Sequence, residues 1–93
     1  MYNDPALTAK SLASLKDAAG ADAVHSVSAV TGAEDFAHFA KAIPGFFFWL
    51  GALPKDVKVE NSAPHHTPDF YLDEGGFVLG VKSFCRLLLD YKR

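Results

Sequence analysis

Phe46-Phe47-Phe48-Trp49-Leu50 is the stretch on which the fold turns, because its large apolar side chains fall at odd and even positions alike. Successive side chains of an extended chain point to opposite faces, so this run predicts a strand covered on both sides. Upstream, Val24-His25-Ser26-Val27-Ser28-Ala29-Val30 carries three valines without a helical period and stops at the turn signal Thr31-Gly32, which predicts a short strand over 24–30. Between the two, Glu34-Asp35 place acids in the first turn of a helix whose buried stripe is Phe36, Phe39, Ala40 and Ile43, and Pro44-Gly45 ends it. Residues 31–45 are long enough for a crossover, so the strands can lie parallel in a right-handed unit.

The flanks read as helices. Asn3-Asp4-Pro5 offers a cap and a proline at the first helical position, apolar residues recur from Ala6 to Ala19, and Gly20 supplies the stop, giving a helix over 5–19. A last helix begins near Glu74, capped by Asp73, with Phe77, Val81, Phe84, Leu88 and Tyr91 on one face and Val78, Cys85 and Leu89 beside them. Its wide apolar arc predicts deep packing and a buried thiol. From Leu53 to Leu72, Pro54, Pro64 and Pro68 interrupt a stretch with no sustained period, and a loop of this length in a compact domain is usually functional or mobile. The order is helix-strand-helix-strand-helix, an α/β fragment. Two strands seldom make a stable sheet, so either a larger mixed sheet continues outside this chain or a second copy supplies the missing neighbours. Apolar surface left open predicts self-association through residues 46–50 or the adjoining helix faces.

Composition narrows the function classes. Hydrophobic residues make up 49% of the 93 and charged residues 22%, which argues against disorder. The net charge is −2 with Lys and Arg scattered among acids, so no nucleic-acid partner is expected. No apolar run approaches the roughly 20 residues that cross a bilayer, and no membrane partner is expected. The single cysteine rules out an internal disulfide framework and favours a reducing, cytoplasmic setting.

Two places could carry chemistry. His65-His66-Thr67-Pro68 combines imidazoles with a rigid turn; it is either a metal-binding corner or a pair of solvated loop histidines, and adjacent histidines do not easily point into one site. Asp69, Asp73 and Glu74 follow closely and could support a ligand or cap a helix. The junction Thr31-Gly32-Ala33-Glu34-Asp35 joins predicted strand to predicted helix, where α/β folds place ligands, although any such junction has this form. No Ser/His/Asp or Cys/His arrangement points to a nucleophile.

Taken in order, Gly32-Ala33-Glu34-Asp35-Phe36, Pro44-Gly45-Phe46-Phe47-Phe48-Trp49-Leu50-Gly51, His65-His66-Thr67-Pro68-Asp69-Phe70, Asp73-Glu74 and Gly80-Val81 resemble the C-terminal region of the aminoacylase, hippurate hydrolase and auxin-conjugate amidohydrolase group, family 20 of the metallopeptidases. The resemblance spans essentially the whole chain. It implies a zinc-peptidase-like α/β catalytic domain interrupted by an inserted lid or dimerisation domain. Residues 1–3 would end the return from that insertion and residues 4–93 would form the C-terminal portion of the catalytic domain. It further implies hydrolysis of N-acyl amino acids at a pair of zinc or manganese ions. By that resemblance His66 matches the last metal ligand, Gly32, Ala33, Glu34 and Asp35 match a wall of the substrate cleft, and His65 and Asp69 are neighbours that could support the ligand. The family's other ligands and its general-base glutamate lie upstream, so no catalytic residue falls in this chain and the piece alone is expected to be inactive. Trp49 departs from the phenylalanine frequent there, and Gly75-Gly76-Phe77 departs at the start of the last helix. A stand-alone, self-associating interaction domain and a small metal-binding module built on His65, His66 and a carboxylate are the rival readings.

Overall fold

The computed structural model describes residues 1–92. Helix α1 runs Pro5–Ala19, the span the sequence predicts. The Asp4 carboxylate accepts the Leu7 amide at 2.8 Å and so satisfies one of the free N–H groups of the first turn. Gly20, at φ 92°, donates its amide to the Lys16 carbonyl at 2.8 Å and turns the chain away in a conformation that side chains resist. A short helix α2 follows at Phe36–Ala42 and a long α3 at Phe77–Tyr91, with single 3₁₀ turns at Ala21–Ala23, Val59–Asn61 and Glu74–Gly76.

The centre of the fold is the crossing of α1 and α3. On α1 the buried residues are Ser11, Ser14, Leu15 and Ala18, one stripe at three- and four-residue spacing; on α3 they are Gly80 and Ser83. Small side chains let the two helices approach closely. Polar groups then fix their register: Ser14 Oγ donates to Asp90 Oδ2 at 2.9 Å, and Arg86 donates from Nε to the same oxygen at 2.7 Å and from Nη2 to Asp17 at 3.1 Å. Lys10 closes the far end, its Nζ donating to the Tyr91 carbonyl and lying 5.3 Å from the centre of that ring.

The expected α/β fragment is not what forms. Among the described residues there is no strand and no sheet; the chain is helical, and 24–30 and 46–50 run without a backbone ladder. The physical reason is that a strand exists only through pairing, and these segments meet no partner backbone. What survives is the alternation along 46–50. Phe46 stacks on Phe48 at 5.6 Å and Phe48 meets Phe84 of α3 at 5.5 Å, while Phe47 meets Trp49 at 5.4 Å and Phe36 of α2 at 6.1 Å. Aromatic contacts thus form on both sides of the run, but it is not covered on both, since Trp49 and Leu50 are exposed. In place of a neighbouring strand, the Asn3 side chain holds Phe47, taking its amide on Oδ1 and giving Nδ2 to its carbonyl, both at 2.8 Å. The Asp4 amide adds a bond to the Gly45 carbonyl at 2.9 Å. Gly45 passes so close to α2 that a Cβ there would stand 2.8 Å from the Ala40 Cβ.

Burial also departs from expectation. Leu15 and Ala18 are the only apolar residues that are fully buried among those described. Phe39 of α2 and Ile43 just after it are exposed, as are Phe77, Val78, Val81, Phe84, Leu88, Leu89 and Tyr91 of α3, and Cys85 is an exposed thiol. The arc read as deeply packed on α3 is instead its outer face. The radius of gyration, 14.6 Å, exceeds the value of about 12 Å expected for a compact domain of this length. No helix among the described residues is long and apolar enough to cross a membrane.

Candidate functional site

The 63–73 loop reaches its shape through its own short-range bonds. The Thr67 hydroxyl donates to the Pro64 carbonyl at 2.7 Å, and the Phe70 amide donates to the Thr67 carbonyl at 3.2 Å. Downstream, Asp73 accepts the Gly75 amide at 3.4 Å, so it caps the turn before α3, and its own amide bonds the Ala52 carbonyl at 2.8 Å. This last bond ties the loop's end to the residues that follow Trp49.

Within the loop the two histidines are set apart by conformation. His66 has φ 65° and is the only described residue other than glycine in the left-handed region. Histidine tolerates that region better than most side chains, and such conformations concentrate where a site holds a residue in a required direction. His65 packs edge-on against Phe70 at 4.6 Å and lies 6.5 Å from both the Trp49 and the His66 rings. Both histidines are exposed, and the His66 ring makes no hydrogen bond among the described residues.

The predicted cleft residues lie elsewhere on the surface. Gly32, Ala33 and Glu34 help to line an open cavity of about 670 Å³ bounded by α1, residues 24–30 and residues 46–51. Neither Asp35 nor His65, His66 or Asp69 lines it. Trp49 is the link, since it lines the cavity and also touches His65. Glu34 is engaged locally, its Oε1 accepting the Phe36 amide at 3.1 Å at the start of α2. Asp35 and Asp69 are exposed, with no side-chain bond at the α2 cap from Asp35.

The donor set decides what a metal could find here. A catalytic zinc takes about three protein ligands and leaves one position open. No group of three or more His, Cys, Asp or Glu side chains is gathered for an ion among the described residues. These residues alone therefore do not fit a resident metal; His66 offers a single donor. Sequence reasoning missed two contributors. Asn3 reads as part of a helix start yet clamps Phe47, and Trp49 reads as core yet joins the cavity to the histidine loop. For Trp49 the unusual choice of tryptophan in a phenylalanine run was a usable signal; for Asn3 there was none.

Comparison with known proteins identifies the chain's relatives. Residues 1–90 match peptidase family M20/M25/M40. The chain is 31% identical to the uncharacterized hydrolase y4tI of Sinorhizobium fredii over 80% of its own length and 17% of that protein's. It is 34% identical to the N-acetyldiaminopimelate deacetylase of Limosilactobacillus fermentum over 92% of its own length and 20% of the deacetylase. It is also 34% identical to thermostable carboxypeptidase 2 of Saccharolobus solfataricus, over 67% of its own length and 15% of that protein's. No solved structure matches it. The chain spans about a fifth of the length of the curated relatives it matches. With essentially all of its residues inside the family match, this chain belongs to peptidase family M20/M25/M40.

Proposed function

We propose that this chain supplies one metal ligand and one wall of the substrate cleft to an amidohydrolase acting on N-acyl amino acids or related peptides, and that it does not catalyse the reaction alone. The observation that carries this reading is the combination of a family match over residues 1–90 with the lack, among the described residues, of any group of three or more side chains that could hold a metal. His66 is the proposed ligand. Its backbone is left-handed, its ring is exposed, and that ring meets His65 edge-on at 6.5 Å while His65 packs against Phe70. His65 is a positioning residue in this reading, and Asp69 supports the ligand. Zinc or manganese, held mainly by residues outside this chain, would supply Lewis acidity and an activated water.

The Gly32–Asp35 turn is proposed to shape the cleft through Gly32, Ala33 and Glu34, which border the 670 Å³ cavity. Trp49 would carry contact between substrate and the His65 side of the loop. The proposed setting is cytoplasmic, in keeping with a chain whose one cysteine is unpaired.

The isolated chain tests the first half of the proposal. Assayed against N-acetyl and N-benzoyl amino acids with added zinc, cobalt or manganese, a homogeneous preparation is expected to show no turnover. Zinc titration followed by NMR should move the His66 imidazole signals only weakly and without saturating at one equivalent. Metal-dependent turnover, or tight binding at one ion per chain, would overturn the reading and favour a self-sufficient metal module.

A further inference from the structure

Helix α3 carries two seams of opposite character. The inner seam is Gly80, which lies against Leu50, and Ser83 with the half-buried Leu87 and Asp90, the last bonded to Ser14 of α1. The outer one, Phe77, Val81, Phe84, Leu88 and Tyr91, has the alternating four- and three-residue spacing that keeps one stripe facing a neighbouring helix. These outer residues are exposed by 47%, 65%, 60%, 74% and 65%. An amphipathic helix normally turns its large apolar side chains inward and its small or polar ones outward; here the large ones face out.

We infer that, in the isolated chain, a second copy covers this face by packing α3 against α3 along that outer seam. Three observations favour a second copy as the occupant. With Val78 and Leu89 alongside, seven large apolar side chains offer on the order of 700 Å² per copy, close to the ~800 Å² that each partner contributes to a standard stable interface. The helix positions flanking the seam, Val78, Gly80, Cys85 and Leu87, carry no charge, so two copies of the same helix meet without like-charge repulsion except at the Tyr91 end, where Lys10 lies over the ring and Lys92 follows. Finally, the seam borders an apolar hollow of about 270 Å³ lined in part by Leu7, Phe48, Phe84, Leu88 and Tyr91, a hole that a protruding side chain of the facing helix can fill. The inference stands apart from the role given to His66, because it concerns another face.

Sedimentation of the 10.0 kDa chain from micromolar to near-millimolar concentration tests it. The expected result is a reversible monomer–dimer equilibrium whose dissociation constant rises about tenfold or more in Val81→Lys and in Leu88→Lys, as for central interface anchors. Val59→Lys, at an equally exposed residue far along the chain from α3, should leave it unchanged. Far-UV circular dichroism checks that each variant keeps its helices. The unmodified chain gives an independent readout: α3 amide and methyl signals should shift with concentration while those of the α1 inner stripe hold still. A monomer persisting at near-millimolar concentration would overturn the inference. So would a dimer indifferent to both substitutions, or concentration-dependent shifts confined to residues outside α3.

Discussion

The crossing of α1 with α3 and the outer surface of α3 belong to one short protein and yet follow opposite rules. At the crossing, serines, glycine and alanine pack closely, and Ser14, Asp17, Arg86 and Asp90 saturate one another with hydrogen bonds. On the outer surface, Phe77, Val81, Phe84 and Leu88 meet solvent. The difference teaches that what this chain completes internally is a scaffold, whereas its largest hydrophobic resource is directed elsewhere. Burying one such side chain is worth roughly 1.5–3 kcal/mol, so several left open represent stabilisation that only an added surface can realise.

The sharpest way to break the closed side is to enlarge it. Ser83 is 3% exposed, and Ser83→Phe should cost about 3 kcal/mol, because overpacking forces the helices apart and strands the nearby polar network. Urea denaturation would report this as a large fall in midpoint; an unchanged midpoint would mean that the crossing is looser than described. Asn3→Ala comes next. It removes both bonds to Phe47 and should cost about 1–2 kcal/mol, with faster hydrogen exchange at the Phe47 amide. The smallest effect is expected on the open side and has the opposite sign. His66→Gly should stabilise the fold by about 0.5 kcal/mol, since glycine adopts φ 65° without a Cβ penalty. If His66→Gly destabilises, the imidazole has a structural partner and its proposed role loses support.

How much of this was legible in the sequence depended on the range of the forces involved. Helix α1 was readable to its ends because its signals are local: Asp4 and Pro5 start it, Gly20 ends it, and no distant contact is needed. The Asp73 cap was readable for the same reason. The strands over 24–30 and 46–50 were not, because pairing is a relation to another backbone, and composition cannot say whether that backbone is present. For 46–50 the expected cover on both faces fails together with the pairing, since Trp49 and Leu50 are exposed; what is kept is that aromatic contacts form on both sides. Burial on α3 went wrong similarly: periodicity located the apolar stripe but could not reveal that α1 would take the small-residue side. At the site, His66 was singled out through a resemblance. Its left-handed backbone was invisible in the sequence, and so was the separation of Asp35 and Asp69 from the cavity bordered by Gly32, Ala33 and Glu34.

On the reading proposed above, His66 serves an amide-cleaving site assembled mostly from residues beyond this chain. The most direct measurement replaces the matching segment of the Limosilactobacillus fermentum deacetylase with this chain and follows metal-dependent deacetylation of N-acetyldiaminopimelate. The account predicts an active graft whose kcat/KM falls at least about a hundredfold in His66→Ala, the top of the range for a contact that merely supports a ligand, and changes far less in His65→Ala. A folded His66→Ala graft that retains the parent graft's activity would contradict it.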